Sequence, residues 1–284
     1  MMPKRLKQRV KRALKKARHA YLCRFRAFAP ADLARTLAAL GVAKGDTVLV
    51  HSSFNSFEGF SGGALDAIRV LQDAVGPSGT LAMPTLSFTG TAIGWAEKRK
   101  VFDVGRTPSQ TGLLTELFRR SPDVVRSVHP THSVAAWGAG AKALIAEHFR
   151  AATPCGIGSP YSRLAQTNGK ILLLGTGIGV LTYFHTVEEE LEPVMPFTPF
   201  TRDTYAMISK DNSGNAVKTR SRLFDPAVSR RRNLAKLVPE LKRRGAWRES
   251  RVGNLDVILL TAAEVSSACR AMADRGEYCY DDVG

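Results

Sequence analysis

Acidic residues are missing from the first 26 positions of this 284-residue chain, and so is serine. The same stretch holds eleven lysines and arginines, which leaves only +5 of the formal net charge of +16 to the other 258 residues. The basicity therefore belongs to an appendage. No apolar run approaches the roughly 18–20 residues that would cross a bilayer, so no transmembrane helix is expected. The basic start lacks the apolar stretch of a secretory leader, and its want of serine argues against a transit peptide. Cysteines are few and scattered (Cys23, Cys155, Cys269, Cys279), without a CxxC pair. That excludes a disulfide framework or zinc spacing and makes a reducing, cytoplasmic setting the expectation. Also missing are a GK[ST] phosphate loop and a GxSxG nucleophile elbow.

What is present is the composition of a folded domain, 44% apolar and 23% charged. Residues 4–22 place Leu6, Val10, Ala13, Leu14, Ala17 and Tyr21 at helical spacing among lysines and arginines, which predicts a basic amphipathic helix. Such a helix suits loose docking on the body, an anionic membrane surface or, less well, nucleic acid. We expect an arm at 1–28 and a catalytic domain at 29–284. In the latter, helices are expected at Asp32–Leu40, Gly62–Val75, Thr111–Arg119, Ala139–Phe149 and Ala262–Asp274. Strands are expected at Thr47–His51, Thr80–Met83, Lys170–Leu174 and Val257–Leu260. Short, wholly apolar strands between helices indicate a layered α/β domain, with a covered, mainly central β-sheet, flanking helices and the basic helix in front. After residue 200 the chain turns more polar and basic without a clear pattern.

Several motifs carry chemistry. Gly175, Gly177 and Gly179 follow a strand, but GxGxG is not the dinucleotide fingerprint and no acidic residue follows at ribose distance. Close backbone packing or a turn near a ligand fits them better. His129 and His132 in RSVHPTHS are three apart, yet Pro130 breaks helical geometry and no third metal ligand is near, so no metal is expected. As a loop between helices, the octamer is either a self-satisfied polar turn or a set of donors for phosphate or amide groups. His51-Ser52-Ser53 closes a strand ahead of a glycine-bearing loop and a helix, a natural ligand position in α/β folds. In YFHTVEEE, His185 and Glu188 stand three apart, which on a helical turn puts both on one face. The carboxylate would then fix the imidazole's tautomer and raise its basicity.

Taken together, GDTVLVHSSFNSF, GGALDAIRVLQDAVGPSGTLAMPT, TGLLTELFRRSPDVVRSVHPTHSVAAWG, GIGSPYSRLAQTNGKILLLG and TYFHTVEE resemble the aminoglycoside 3-N-acetyltransferase family over residues 32–190. The resemblance implies an enzyme that moves an acetyl group from acetyl-CoA to an amine of an aminoglycoside or amino sugar. It implies that acetyl-CoA lies between the early strand loops and RSVHPTHS, with Ser52, Ser53, Arg126, Ser127 and Ser133 as its contacts. It makes His185 the general base and Glu188 its orienter. The chain departs from the family at EEELEPVMPF and beyond residue 200, the part that shapes the acceptor pocket. Glu188, Glu189, Glu190 and Glu192 are the acidic cluster there. The arm suggests an acceptor handled at the inner membrane face, as in envelope polysaccharide assembly. The alternative is a non-catalytic protein that binds RNA or anionic lipid through the arm; no RNA-binding signature supports the nucleic-acid half.

Overall fold

The computed structural model describes residues 4–281. Residues 1–3 of the expected arm and 282–284 of the expected catalytic domain lie outside the described residues, as do the arm side chains of Lys4, Arg5, Lys7, Gln8, Arg9, Lys15 and His19. The basic arm is one helix, α1 (Lys4–Phe25), and α2 (Pro30–Leu40) begins the body. A βαβ unit follows: β1 (Thr47–Ser52), α3 (Ala64–Val75) and β2 (Thr80–Pro84). Next come α4 (Ala92–Glu97), β3 (Phe102–Asp103), α5 (Leu113–Phe118), β4 (Val125–Arg126), β5 (Val134–Gly138) and α6 (Ala141–Ile145). The chain continues through α7 (Pro160–Gln166), β6 (Lys170–Leu174) and α8 (Phe184–Leu191). A hairpin of β7 (Phe200–Lys210) and β8 (Ala216–Phe224) leads to α9 (Pro226–Ser229) and α10 (Leu237–Arg243). The last elements are β9 (Arg248–Val252), β10 (Leu255–Thr261) and α11 (Ala262–Ala273).

Seven strands form the main sheet in the order β4-β5-β2-β1-β6-β10-β9. Its centre, β2-β1-β6, is parallel, and an antiparallel pair flanks it on each side. Both faces are covered because successive residues of the central strands are apolar on both sides. Leu49, Ile171, Leu173, Ile258 and Leu260 pack with Tyr161 of α7, Val187 of α8 and Val265 of α11. Val48, Val50, Leu172, Leu174, Val257 and Leu259 pack with Leu33 and Leu37 of α2 and Ile68 and Leu71 of α3. Each fully buried leucine contributes about 1.5–3 kcal/mol of hydrophobic burial. By the same alternation His51 lies on the α8 side of the sheet.

Three expectations need correction. RSVHPTHS is not a loop between helices: it links β4 to β5, whose residues Val125 and Arg126 pair antiparallel with Ala136 and Ala135. The helix expected at Ala139–Phe149 stops at Ile145. Ala146 turns extended and Glu147 adopts φ 56°, while Arg163 Nη1 takes the freed carbonyls of Leu144 (3.0 Å) and Ala146. The polar stretch beyond residue 200 is a hairpin that joins β3 in a second, three-stranded sheet. Its turn is locked by Asp211, whose Oδ1 accepts from the backbone N–H groups of Ser213 (2.9 Å) and Asn215 (2.8 Å).

Gly175 connects the fold to the site. It leaves β6 with φ +63°, and a Cβ there would stand 2.3 Å from Ser56 Cβ and 2.8 Å from Leu255 Cδ1. Glycine is required on both counts, which accounts for the first glycine of the run. Ser56 Oγ donates to the Gly175 carbonyl at 2.7 Å and ties the turn to the loop after β1. Gly175→Ala is expected to destabilise the protein by about 1–3 kcal/mol or more, read as a lowered urea midpoint at unchanged slope. Gly177→Ala, with nothing within 4 Å of its would-be Cβ, should change the midpoint far less.

Candidate active site

The parallel strands β1, β2 and β6 end on the same side of the sheet, where open α/β folds place their ligands. A cleft of about 340 Å³ opens there, lined by His51, Ser52, Pro84, Thr176, His185 and Arg232, among others. The sequence of α8 explains what this cleft offers. Helical spacing of three puts His185 and Glu188 on one face, and Nδ1 of His185 meets Oε2 of Glu188 at 2.5 Å. Glu188 is fully enclosed, while 17% of the His185 side chain is exposed. With Nδ1 engaged by the carboxylate, Nε2 is the nitrogen left to the cleft that His185 lines.

Glu188 is held by three further hydrogen bonds. Arg232 donates from Nε to Oε1 at 2.7 Å and from Nη2 to Oε2 at 3.2 Å. The Tyr280 hydroxyl donates to Oε1. Arg232 and Tyr280 face each other because residues 231–233 and 279–281 pair as short antiparallel segments. In that pairing Asn233 N–H donates to the Cys279 carbonyl at 2.8 Å and Asp281 N–H to the Arg231 carbonyl at 2.7 Å. Phe224, the last residue of β8, packs on the His185 ring with centroids 4.3 Å apart, and Arg232 lies 5.5 Å over the same phenyl ring. The His185 ring is thus clamped between a carboxylate and an aromatic face.

Burial sets the charge state of that ring. It lowers the His185 pKa below 6.5, Glu188 pulls it back up, and Arg232 pushes it down again. The net direction is downward, so the imidazole is neutral at pH 7 with its Nε2 lone pair free.

The other predicted residues fall into two groups. Ser52 lines the cleft, and Ser53 follows it, its N–H donating to the Leu174 carbonyl at 2.9 Å. Arg126, Ser127 and Ser133 sit behind the wall, buried, with their polar atoms engaged within the protein. Arg126 donates to the carbonyls of Thr107 (2.6 Å), Thr85 (2.7 Å) and Val104 (3.2 Å) and to the Ser133 hydroxyl (3.0 Å). Ser133 in turn donates to the Thr85 carbonyl at 2.7 Å. Ser127 accepts from Val134 N–H at 2.8 Å and donates to Nδ1 of His148 at 2.9 Å, whose Nε2–H goes to the Pro154 carbonyl at 2.9 Å. RSVHPTHS thus ties together the segments that follow β2, β3 and α6. His129 and His132 belong to the same packing, His129 stacked on His148 with centroids 4.4 Å apart and His132 edge-on to His185 at 6.4 Å. Among the described residues no group of three or more His, Cys, Asp or Glu is placed to hold a metal.

The acidic cluster after His185 is largely neutralised from within. Glu188 pairs with Arg232, Glu190 with Arg270 at 2.7 Å and Glu192 with Arg222 at 2.6 Å. Glu189 is bonded to the Thr153 hydroxyl, and burial raises its pKa. The sequence reading missed Arg232, Tyr280 and Phe224. Arg232 is one of three consecutive arginines, and nothing in SRRRN singles it out; Tyr280 lies 92 residues from its partner.

The model of the aminoglycoside 3-N-acetyltransferase family matches residues 49–274. Aminoglycoside N(3)-acetyltransferase VII of Streptomyces paromomycinus is 38% identical over 169 residues, 55% of this chain and 58% of the relative. The chain therefore aligns with less than two thirds of that curated relative's length. Among solved structures, AAC-IIIb in a binary complex with CoASH is 25% identical with a TM-score of 0.74, covering 90% of this chain and 99% of that one. A mutant of AAC(3)-IVa in complex with a gentamicin is 27% identical with a TM-score of 0.73, covering 88% and 89%.

Burial of the imidazoles has a consequence for stability. Five of the six histidines have pKa values pressed below 6.5, chiefly by burial, His51 and His148 to about 3. The unfolded chain takes up protons below pH 6.5 that the folded chain refuses. Their stabilisation is therefore complete above that pH and lost as the pH falls toward the folded values, by about 1.4 kcal/mol per pH unit for each histidine. Urea midpoints should fall steeply from pH 7 to pH 5; a flat profile would contradict the buried, neutral imidazoles.

Proposed function

The chain belongs to the aminoglycoside 3-N-acetyltransferase family, and from that premise we propose that it transfers the acetyl group of acetyl-CoA to an amine of an aminoglycoside or a related amino sugar. The observation that carries this reading is the His185–Glu188 pair, with Nε2 of a neutral imidazole left to the cleft. A protonated amine cannot attack a carbonyl, and sugar amines must shed a proton to react. His185 Nε2 accepts that proton, and Glu188, fixed by Arg232 and Tyr280, stabilises the imidazolium through Nδ1–H. The amine's lone pair forms the C–N bond, the carbonyl π pair moves to oxygen, and the nitrogen, now cationic, gives a second proton to solvent. When the C=O re-forms, the C–S bond breaks and the thiolate takes the proton from His185, giving the amide and CoASH. The two ligands named with the related structures, CoASH and a gentamicin, support the two halves of this reaction.

Of the expected cofactor contacts, we keep Ser52 and Ser53 at the end of β1 for the thioester arm, a reading supported by Ser52 lining the cleft. We assign Arg126, Ser127 and Ser133 to holding the wall that faces it, since their polar atoms are engaged within the protein. The acceptor is an amine-bearing sugar; the internal pairing of the glutamates favours one less cationic than a polyamine antibiotic.

His185→Ala should lower the transfer rate by about 10²–10⁴ with little change in acetyl-CoA affinity. Glu188→Gln should cost less in rate, because the ring remains. Activity of the wild type should rise with pH through a group below 6.5, in line with the downward shift of His185, and plateau at neutrality. That limb should vanish in His185→Ala. Near-normal turnover of His185→Ala with the same limb would place the base elsewhere.

One observation favours an added role for α1, a peripheral seat on an anionic membrane from the cytoplasmic side. The helix touches the body through buried Leu22 and the Arg18–Glu58 pair at 3.2 Å. Its apolar stripe, with Leu6, Leu14, Tyr21 and Phe25 at 44%, 65%, 55% and 62% exposure, faces away. No helix among the described residues is long and apolar enough to cross a membrane. The stripe would lie in the interface while clustered cations contribute about 1 kcal/mol each near anionic lipid. The full chain should co-sediment with phosphatidylglycerol vesicles and be released by salt. A Leu6→Ser, Leu14→Ser variant should bind several-fold less, and salt-insensitive or stripe-independent binding would refute the assignment.

A further inference from the structure

His51 shares the cleft with His185, and the base chemistry gives it no part. It ends the apolar run of β1, pairs in register with Leu173 of β6 and is 6% exposed. Its Nε2 is buried without a hydrogen-bond partner. A buried N–H left unpaired costs about 1–3 kcal/mol, whereas an unpaired acceptor is better tolerated. The proton therefore resides on Nδ1, which has no partner among the described residues and belongs to a ring lining the cleft. Burial and the nearby His185 hold the pKa of His51 at about 3, so it remains neutral and does not compete as a base. The two imidazoles are the same Nδ1–H tautomer but offer opposite functions to the cleft. His185 offers a lone pair, because Glu188 fixes its proton on Nδ1, and His51 offers an N–H.

Two of the hydroxyls that line the cleft are already engaged. Thr111 Oγ1 donates to the Pro84 carbonyl at 2.7 Å and Thr115 Oγ1 to the Gly112 carbonyl at 2.9 Å. Their protons are committed to the protein. Acetyl transfer needs an acceptor for the amine proton and, close by, a donor for the oxygen that gains negative charge. Resting on the acetyl-transfer reading above, we propose that His51 donates its Nδ1–H to the acyl carbonyl oxygen of the thioester. As the amine lone pair forms the C–N bond, the π pair settles on that oxygen against the His51 N–H. The same N–H releases it when the C=O re-forms and the C–S bond breaks. His51 neither gains nor loses a proton in the cycle.

Steady-state kinetics of the full chain with acetyl-CoA and an amino-sugar acceptor that the wild type turns over test this. His51→Ala should lower kcat by about 10²–10³, the usual loss of one oxyanion donor, with KM for acetyl-CoA little changed. His51→Asn, whose amide nitrogen reaches the place of Nδ1, should recover at least about tenfold of the loss, and His51→Gln, which reaches the place of Nε2, should not. The acid limb of the pH profile should persist in every variant, since His185 is untouched. A His51→Ala protein with kcat within about threefold of wild type, a loss confined to KM, or rescue by Gln in place of Asn would each overturn the assignment. Should His51→Ala fail to fold, the Asn and Gln variants carry the comparison. A wild type inactive on every acceptor would instead overturn the acetyl-transfer reading itself.

Discussion

The buried carboxylate of Glu188 is the constraint on which the site depends. Enclosing a carboxylate is tolerable only when its lone pairs are met, and removing one partner of such a group typically costs about 3–5 kcal/mol. Here four hydrogen bonds from three parts of the chain converge: one from His185 on its own helix, two from Arg232 in the segment after α9, and one from Tyr280 in the segment after α11. Glu188 thereby fixes the C-terminal segment against residues 231–233 and fixes the ring that faces the cleft. Arg232 has a second consequence. Burial keeps the imidazole a free base at neutral pH, and the charge of Arg232 adds to that while neutralising the carboxylate.

Around that network the fold supplies position. Parallel β1, β2 and β6 bring His51, Ser52 and the Gly175 turn to one edge, and α8 descends from that turn to present His185. RSVHPTHS works behind the scene as a brace: the Arg126 guanidinium bonds three backbone carbonyls and lies 4.8 Å over the Phe102 ring. A planar fork of donors suits this better than a lysine would. From the second sheet, Phe224 reaches the His185 ring and backs it. Variation elsewhere in the β7–β8 hairpin can therefore proceed without disturbing the imidazole, provided that contact is kept.

Much of this was legible in the sequence where the signal is local. Four strands of the main sheet, β1, β2, β6 and β10, read as short apolar runs, KILLL beside β1 among them, whereas the buried strand β5 was not expected. The three-residue spacing of His185 and Glu188 needed only helical geometry. The β7–β8 hairpin was not legible because half of its residues face solvent, so polar side chains masked the alternation around the Asp211–Asn215 turn. RSVHPTHS left a self-satisfied turn and a donor loop both open because its residue types suit either; only tertiary contacts show Arg126, Ser127 and Ser133 bonded within the protein. Arg232 and Tyr280 act on Glu188 across 44 and 92 positions, a distance over which one sequence carries no periodic signal.

The central claim, that Glu188 holds His185 with Nδ1 protonated and Nε2 free, is open to direct measurement. Long-range proton–nitrogen correlation spectra of the protein labelled at its histidine nitrogens would report the protonation of both ring nitrogens of His185 at pH 7. The account predicts a protonated Nδ1 in a strong hydrogen bond and a bare, acceptor-type Nε2, reverting to a mixture of tautomers in Glu188→Gln. A proton on Nε2, or an imidazolium at pH 7, would contradict it.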